Sequence, residues 1–343
     1  MPKLQEVFNN EELINYFKDA QAVPKLGESL FPERKIQDIE FDMILGTGGL
    51  PVSAEVHAFD TETQLASREA IEKGVASLAL IKRKIKISEK DLIKINNPRT
   101  NSELNSVLLK LFNDAEKMTE SIRVRTESMR MELLSSGKIA INENGVKVTI
   151  DYKVPAGNQK AFTWSDLSKA DPLKDLSDLA DAVENESGSR PTRALTSRKM
   201  VNAICNCVSV RKAIYGVNSD KMVTLSALNE LLIQLDLPQL LVYEGKYKKE
   251  GAKGFTSQRY YPENKISMFG DNTLGETIYG LTAEEVKLIG DGQMEESQVI
   301  ENKIFVGTYT SVDPVGEFTK AAATVLPTLP NGDELGIATI TLP

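Results

Sequence analysis

Between Thr100 and Gly137 the sequence reads TNSELNSVLLKLFNDAEKMTESIRVRTESMRMELLSSG, with apolar residues at Leu104, Leu108, Leu111, Ala115, Met118, Ile122, Met129 and Leu133. Steps of three and four put these on one side of a helix, interrupted only where Arg125 falls on the stripe. Thr100 stands three residues before Glu103 in capping-box spacing, with Pro98 just outside, and Gly137 can take the left-handed backbone that closes a helix. About 36 residues at roughly 1.5 Å each make a rod on the order of 54 Å, several times an ordinary helix of about 11 or 12 residues. A coiled coil is one account of such a rod, but the flanking charges show no regular opposite-sign pairing that would set a partner. Directly after Gly137 come Ile139 and Ile141, an Asn144-Gly145 turn, and then Val146, Val148, Ile150 and Tyr152 in strict alternation, the pattern of a hairpin. The expectation is a long helix lying across a sheet.

The 343 residues are 41% hydrophobic and 26% charged, enough to bury a sizeable core and more than one domain. No run of 18 apolar residues occurs, and residues 1–10 are polar and acidic, so neither a membrane span nor a signal peptide is expected and the chain should stay in the cytoplasm where it is made. The formal charge of −8 argues against a protein whose main work is gripping phosphate. Cys205 and Cys207 lie two apart in a segment with helical spacing, where they point in different directions and cannot bridge.

Working outward toward the N-terminus, the first 45 residues read as an arm. Asn10-Glu11-Glu12 can start a short helix carrying Leu13, Ile14 and Phe17, after which Pro24, Gly27 and Pro32 interrupt the chain. Phe31, Ile36, Ile39 and Phe41 need cover from the rest of the molecule or from a neighbouring subunit. Gly46-Thr47-Gly48-Gly49-Leu50-Pro51 lacks the Lys-Ser or Lys-Thr of a P-loop and the G-x-G-x-x-G spacing of a dinucleotide site, so it reads as a flexible entry to an extended segment. From Ile81 to Ile87, Lys82, Lys84 and Lys86 alternate with Ile81, Arg83, Ile85 and Ile87, giving one basic strand face backed by a mostly apolar one. Two readings stay open for it: contact with nucleic acid or an acidic patch on a neighbour, and an edge strand whose lysines discourage unwanted pairing. No aromatic residue is interleaved, which argues against a base-stacking platform.

Beyond the hairpin, Asp171-Pro172 opens a helix carrying Leu173, Leu176, Leu179, Ala180 and Val183. Ser197–Tyr215 and Thr224–Leu235 have helical spacing, Leu240–Tyr243 reads as a buried strand, and Glu244–Gly254 reads as a loop. The block from Lys303 to Pro343 returns to extended structure, with strands at Ile304–Tyr309, Thr324–Leu329 and Ile337–Leu342 that are candidates for the sheet begun by the hairpin. His57 is the only histidine, which leaves too few soft ligands for a zinc or iron site and, with no G-x-S-x-G elbow, no basis for a Ser-His-Asp triad. Carboxylates are abundant but no pair stands out, so a hydrolase is the enzyme-class alternative.

At the C-terminus, Asp313-Pro314, Glu317-Phe318-Thr319, an alanine-rich stretch, Val325-Leu326-Pro327 and Pro330-Asn331-Gly332-Asp333-Glu334 before a closing strand resemble the ending of the lambda-type tailed-phage major capsid proteins, the capsid protein E family. Trp164-Ser165 ahead of Asp171-Pro172 is similar to that family too. So are Val242-Tyr243, Gly245 and Tyr247 leading to Tyr261-Pro262, Asn264, Met268, Gly270, Asn272 and Thr273.

The resemblance implies an α+β chain with the Hong Kong 97-type capsid fold. Its parts would be an N-terminal arm at 1–45, an extended loop at 46–97, a spine helix and hairpin of a peripheral domain at 98–159, an axial α/β lobe at 160–290, and a C-terminal return to the peripheral domain at 291–343. It implies a structural protein, not an enzyme, with no cofactor and no metal. Copies would associate as pentamers and hexamers into an icosahedral head in the virion, assembled in the host cytoplasm. Partners would be a scaffolding protein, a portal and a head-decoration protein, around DNA held without sequence-specific binding and without a membrane. Phe17, Phe31, Phe41, Lys82, Lys84 and Lys86 are the expected inter-subunit contacts. An encapsulin-like compartment is the alternative within the fold, and a nucleic-acid-binding protein acting through Lys82–Lys86 is the alternative outside it.

Overall fold

The structure, a computed structural model, describes residues 24–45, 72–87, 89–90, 93, 100–217, 220–251, 254–289, 299–301, 303–312 and 315–343. They form two compact units whose segments interleave along the chain. The described residues of the first fall within Met1–Phe41, Val75–Glu127 and Glu276–Thr328, and those of the second within Asp42–Gly74, Ser128–Gly275 and Leu329–Pro343.

Helix α1 (Leu26–Leu30) is followed by strands β1 (Glu33–Lys35), β2 (Glu40–Leu45), β3 (Glu72–Ser77) and β4 (Ala79–Lys86), and then by α2 (Asn101–Ser136), the long helix expected from the apolar stripe. The stripe buries Ala115, Met118, Ile122, Met129 and Leu133. Polar residues that share the buried face are satisfied locally: the hydroxyls of Thr119 and Thr126 donate to the carbonyls of Ala115 and Ile122, each at 3.1 Å. Glu127, fully buried, accepts the amide of Gly27 at 3.0 Å and so ties α1 to α2.

In the first unit the strand order is β1-β13-β16-β15-β14, using β13 (Thr277–Gly280), β14 (Val299–Ile300), β15 (Ile304–Val312) and β16 (Val315–Pro327). Strand β16 is long enough to pair with β15 and β13 in succession along one side while β4 takes the other, with Phe318 opposite Lys86 and Val325 opposite Ala79. Ala321, Ala322 and Ala323 are all fully buried, so both faces of β16 are covered at its middle.

In the second unit β5 (Lys138–Glu143) and β6 (Val146–Asp151) form the hairpin, with Asn144 and Gly145 at φ 50° and 83° as a type I′ turn demands. Its main sheet has the order β7-β17-β12-β8-β9, built from β7 (Gln159–Thr163), β8 (Arg193–Thr196), β9 (Gln239–Val242), β12 (Lys265–Phe269) and β17 (Gly336–Thr341). On one face Ala194, Leu240, Ile266, Met268, Ala338 and Ile340 meet a layer of helices. These are α3 (Pro172–Ser187), α4 (Arg198–Asn206), α5 (Val208–Tyr215) and α6 (Leu225–Gln234), which contribute Leu176, Leu179, Met200, Ile204, Val210, Leu228 and Leu232. Each such side chain fully buried stabilises the unit by about 1.5–3 kcal/mol. On the other face Ser267 donates to the carbonyl of Leu134 and Lys265 to that of Ser135, both at 2.6 Å, so the end of α2 lies against this sheet.

Several expectations are corrected. Among the described residues the hairpin β5–β6 pairs only with itself, and the C-terminal strands divide: β15 and β16 enter the first sheet, while β17 lies between β7 and β12 in the second. Strand pairing joins segments on either side of the expected boundaries at 159/160 and 290/291, β7 with β17 and β13 with β16. The helix read from Ser197 to Tyr215 is broken at Cys207, whose ψ of 137° is extended. Strand β9 is an edge, with Leu241 half exposed instead of buried. The loop read after Glu244 is a hairpin, β10 (Lys246–Gly251) with β11 (Gly254–Arg259), whose exposed residues on both faces carry no period-two pattern. The segment from Leu26 to Lys35 is not a free arm. Phe31 is fully buried, its carbonyl accepts from Thr277 at 3.0 Å, and β1 pairs with β13.

Candidate subunit-contact surface

Of the residues expected to touch a neighbour, Phe17 lies outside the described residues, as do His57 and the Gly46–Pro51 stretch. Phe31 serves its own core and is withdrawn from the surface, and Phe41 is half-buried in β2. Lys82, Lys84 and Lys86 are exposed on β4, which among the described residues pairs only with β16 and leaves its other edge open. That is the edge-strand arrangement, with lysines opposing unplanned pairing.

Part of the lysine face is paired within the subunit. Lys82 donates to Glu284 Oε1 at 2.9 Å, and Lys320, which stands opposite Lys84 on β16, donates to the same oxygen. Burial acts to raise the Glu284 pKa, but the hydrogen bonds from Lys320 and Lys82 outweigh it and hold the carboxyl below its ordinary value. Lys84 lies 5.3 Å over the ring of Phe318. In the same unit Lys35 pairs with Glu285, and Lys303 bridges to Glu33 at 2.6 Å. Two of the three lysines are thus engaged inside the chain, which weakens a reading in which the strand exists to hold phosphates.

The residues singled out by motif are structural. The Trp164 indole, almost fully buried, donates to Asp175 at 2.7 Å and joins the end of β7 to the first turn of α3. A Cβ on Gly245 would lie 2.9 Å from both Tyr243 and Tyr260, so glycine is required where these rings close over the backbone at the base of the β10–β11 hairpin. Tyr261 and Ser267 share a buried hydrogen bond of 2.7 Å. Gly332 passes within 2.7 Å, measured from a Cβ, of the carbonyl of Tyr152. Among the described residues no three His, Cys, Asp or Glu side chains converge as metal ligands, and no helix is long and apolar enough to cross a membrane. Cys207 is buried and its thiol is pushed up to about 11 by burial, the chemistry of an inert core cysteine.

The family model for phage major capsid protein E matches residues 11–340. The chain belongs to the phage major capsid protein E family. Its role is that of a capsid building block, and its fold is the Hong Kong 97-type seen in phage capsids. Among solved structures, a prophage protein assigned to the capsid, from Escherichia coli CFT073, superposes with a TM-score of 0.61 at 16% identity, covering 97% of this chain and 99% of that one. A phage-related protein of Bordetella bronchiseptica RB50 gives a TM-score of 0.55 at 12% identity, with 96% of each chain covered. At such identities this capsid protein and the two solved structures share the fold alone. No curated protein sequence matches this capsid protein. Sequence reasoning located the lysine strand from its alternation but missed Glu284, the carboxylate that pairs with Lys82, and Lys320, which shares that carboxylate, because they lie over 200 and over 230 residues away from Lys82 along the chain and no local pattern links them.

Proposed function

We propose that many copies of this capsid protein associate as pentamers and hexamers into the icosahedral head of a tailed phage or prophage, enclosing double-stranded DNA without sequence-specific binding. The observation that carries this reading is the match of one capsid family model to residues 11–340, with a prophage capsid relative covered end to end. The open edge of β4 and two exposed two-stranded hairpins support it, since such elements gain stability by packing on something outside their own sheet. The chain's negative charge suits a shell that must contain DNA without adhering to it. Scaffolding, portal and head-decoration proteins are the partners this role calls for, and the virion is its place. Residues 1–23 and the extended loop act in this proposal as ties between subunits. The test is electron microscopy of the protein expressed alone and with its scaffold, backed by sedimentation. Closed shells or capsomer rings are expected, and a persistent compact monomer under both conditions would overturn the proposal.

A further inference from the structure

Hairpin β10–β11 is basic in an acidic chain: its strands carry Lys246, Lys248, Lys249 and Arg259 against one acid, Glu250. Its two faces differ. Tyr247 and Lys249 point toward their own subunit, where Tyr247 stacks 4.9 Å from Tyr260 and Lys249 reaches Glu143 at 2.7 Å. Alternation then sends Lys246 and Lys248 the other way, together with Phe255, whose register partner is Glu250, and Phe255 is 65% exposed. Glu250 shares this face directly opposite the ring, so the outer face carries two lysines, one acid and an exposed aromatic, with the ring as anchor and the lysines as guides.

The complementary surface is on the same chain. Between Asp171 and Ser187 helix α3 and its cap hold six acids and one lysine. Asp175 is committed to Trp164, and Asp181 and Glu184 to Arg190. Asp178, Ala182 and Glu186 follow at steps of four on one side of the helix, the acids exposed and the alanine between them half-buried. This strip spans about 12 Å at roughly 1.5 Å per residue. The stretch from Lys246 to the level of Phe255 is about 13 Å at roughly 3.3 Å per residue.

We propose that the outer face of hairpin β10–β11 docks on the Asp178–Ala182–Glu186 strip of α3 in a second copy of this chain. The inference rests on the shell reading and names one contact within it. Because the two patches differ, the contact is head-to-tail, and repeating it by rotation closes a ring. Lys246 and Lys248, about 7 Å apart at roughly 3.3 Å per residue, reach the two acids through their long side chains, and Phe255, which lies beyond Lys248 at the level of Glu250, packs on the flank of the strip.

The test is charge exchange, read by electron microscopy and sedimentation with folding checked by circular dichroism. Lys246→Glu with Lys248→Glu, and separately Asp178→Lys with Glu186→Lys, are each expected to lose rings and shells while staying folded. All four changes together are expected to restore them, and raising the salt concentration should weaken wild-type ring formation. Shells from either double variant, or no recovery in the quadruple variant while the wild type assembles, would overturn the contact and leave the shell reading standing. A wild type that stays monomeric would overturn both. Salt-sensitive binding of duplex DNA by the wild type, lost on Lys246→Glu with Lys248→Glu and with assembly untouched, would reassign the face to nucleic acid.

Discussion

At position 280 the chain has no room for a side chain. A Cβ there would overlap the carbonyl oxygen of Asp38 and the Cδ1 of Leu78, and would come 3.1 Å from Thr324 Oγ1. The Asp38 carbonyl is backbone, held by the amide of Leu281 at 3.2 Å, and cannot step aside. Gly280→Ala is expected to destabilise the first unit by about 1–3 kcal/mol, the cost of overpacking, seen as a lower urea midpoint with unchanged slope. Glu284 makes a pH prediction. Its folded pKa is depressed, so the stability it supplies is fully present above the ordinary value of 4.5 and is lost as pH falls through the lowered one. Melting temperature measured from pH 7 to pH 3 should therefore drop for the wild type below about 4.5, with a smaller drop for Glu284→Gln. At neutral pH the variant should melt lower, because Lys82 and Lys320 then face each other without their shared carboxylate. An acid limb identical in both proteins would show that Glu284 is not the group responsible.

At the scale of elements, helix ends carry the most easily tested claims. Ser197 is fully buried between β8 and α4, where its hydroxyl accepts the Met200 amide at 3.2 Å and donates to the carbonyl of Glu263 at 2.7 Å. Ser197→Ala removes a cap and leaves a carbonyl unsatisfied, and should cost about 1–3 kcal/mol in chemical unfolding. A cost near zero would mean that water replaces the hydroxyl. Helix α2 shows how one element was legible and its neighbours were not. Its period of 3.6 is written into 36 consecutive residues, and Gly137 ends it at φ 67°. Hairpin β10–β11 has most of its side chains in solvent on both faces, so nothing in its composition alternates. The break at Cys207 was hidden for another reason. Apolar residues continue with helical spacing through it, and only the turn of the backbone separates α4 from α5.

For the whole molecule, the consequence of the shell proposal is a separation of folding from assembly. Leu30 and Phe31 are part of the first unit's core, so removing them would unfold it and say nothing about association. Deleting residues 1–23 leaves Leu30 and Phe31 in the chain. The shortened chain is expected to keep the wild-type far-ultraviolet circular dichroism and its melting temperature to within a few degrees while failing to form closed shells by electron microscopy. Normal shells from it would end the reading of that segment as a tie between subunits.

What the amino-acid order determined by itself is local: the long helix, the Asn144-Gly145 hairpin, the Asp171 and Thr224 helix starts and the alternating lysines of Ile81–Ile87, each written within a few turns or strand residues. Charge and composition also argued against a phosphate-gripping or metal-dependent reading of the chain, and the motif order pointed to its family. Only the tertiary structure decided which strands are neighbours. It placed β17 between β7 and β12, set β4 against β16, and brought Glu284 to Lys82 and Lys320. It also turned Phe31 inward and Phe255 outward. The physical reason is that helix periods and turns arise from interactions a few residues apart. Strand register and the fate of a phenylalanine are set by surfaces hundreds of residues away, whose match appears only once both sides are folded.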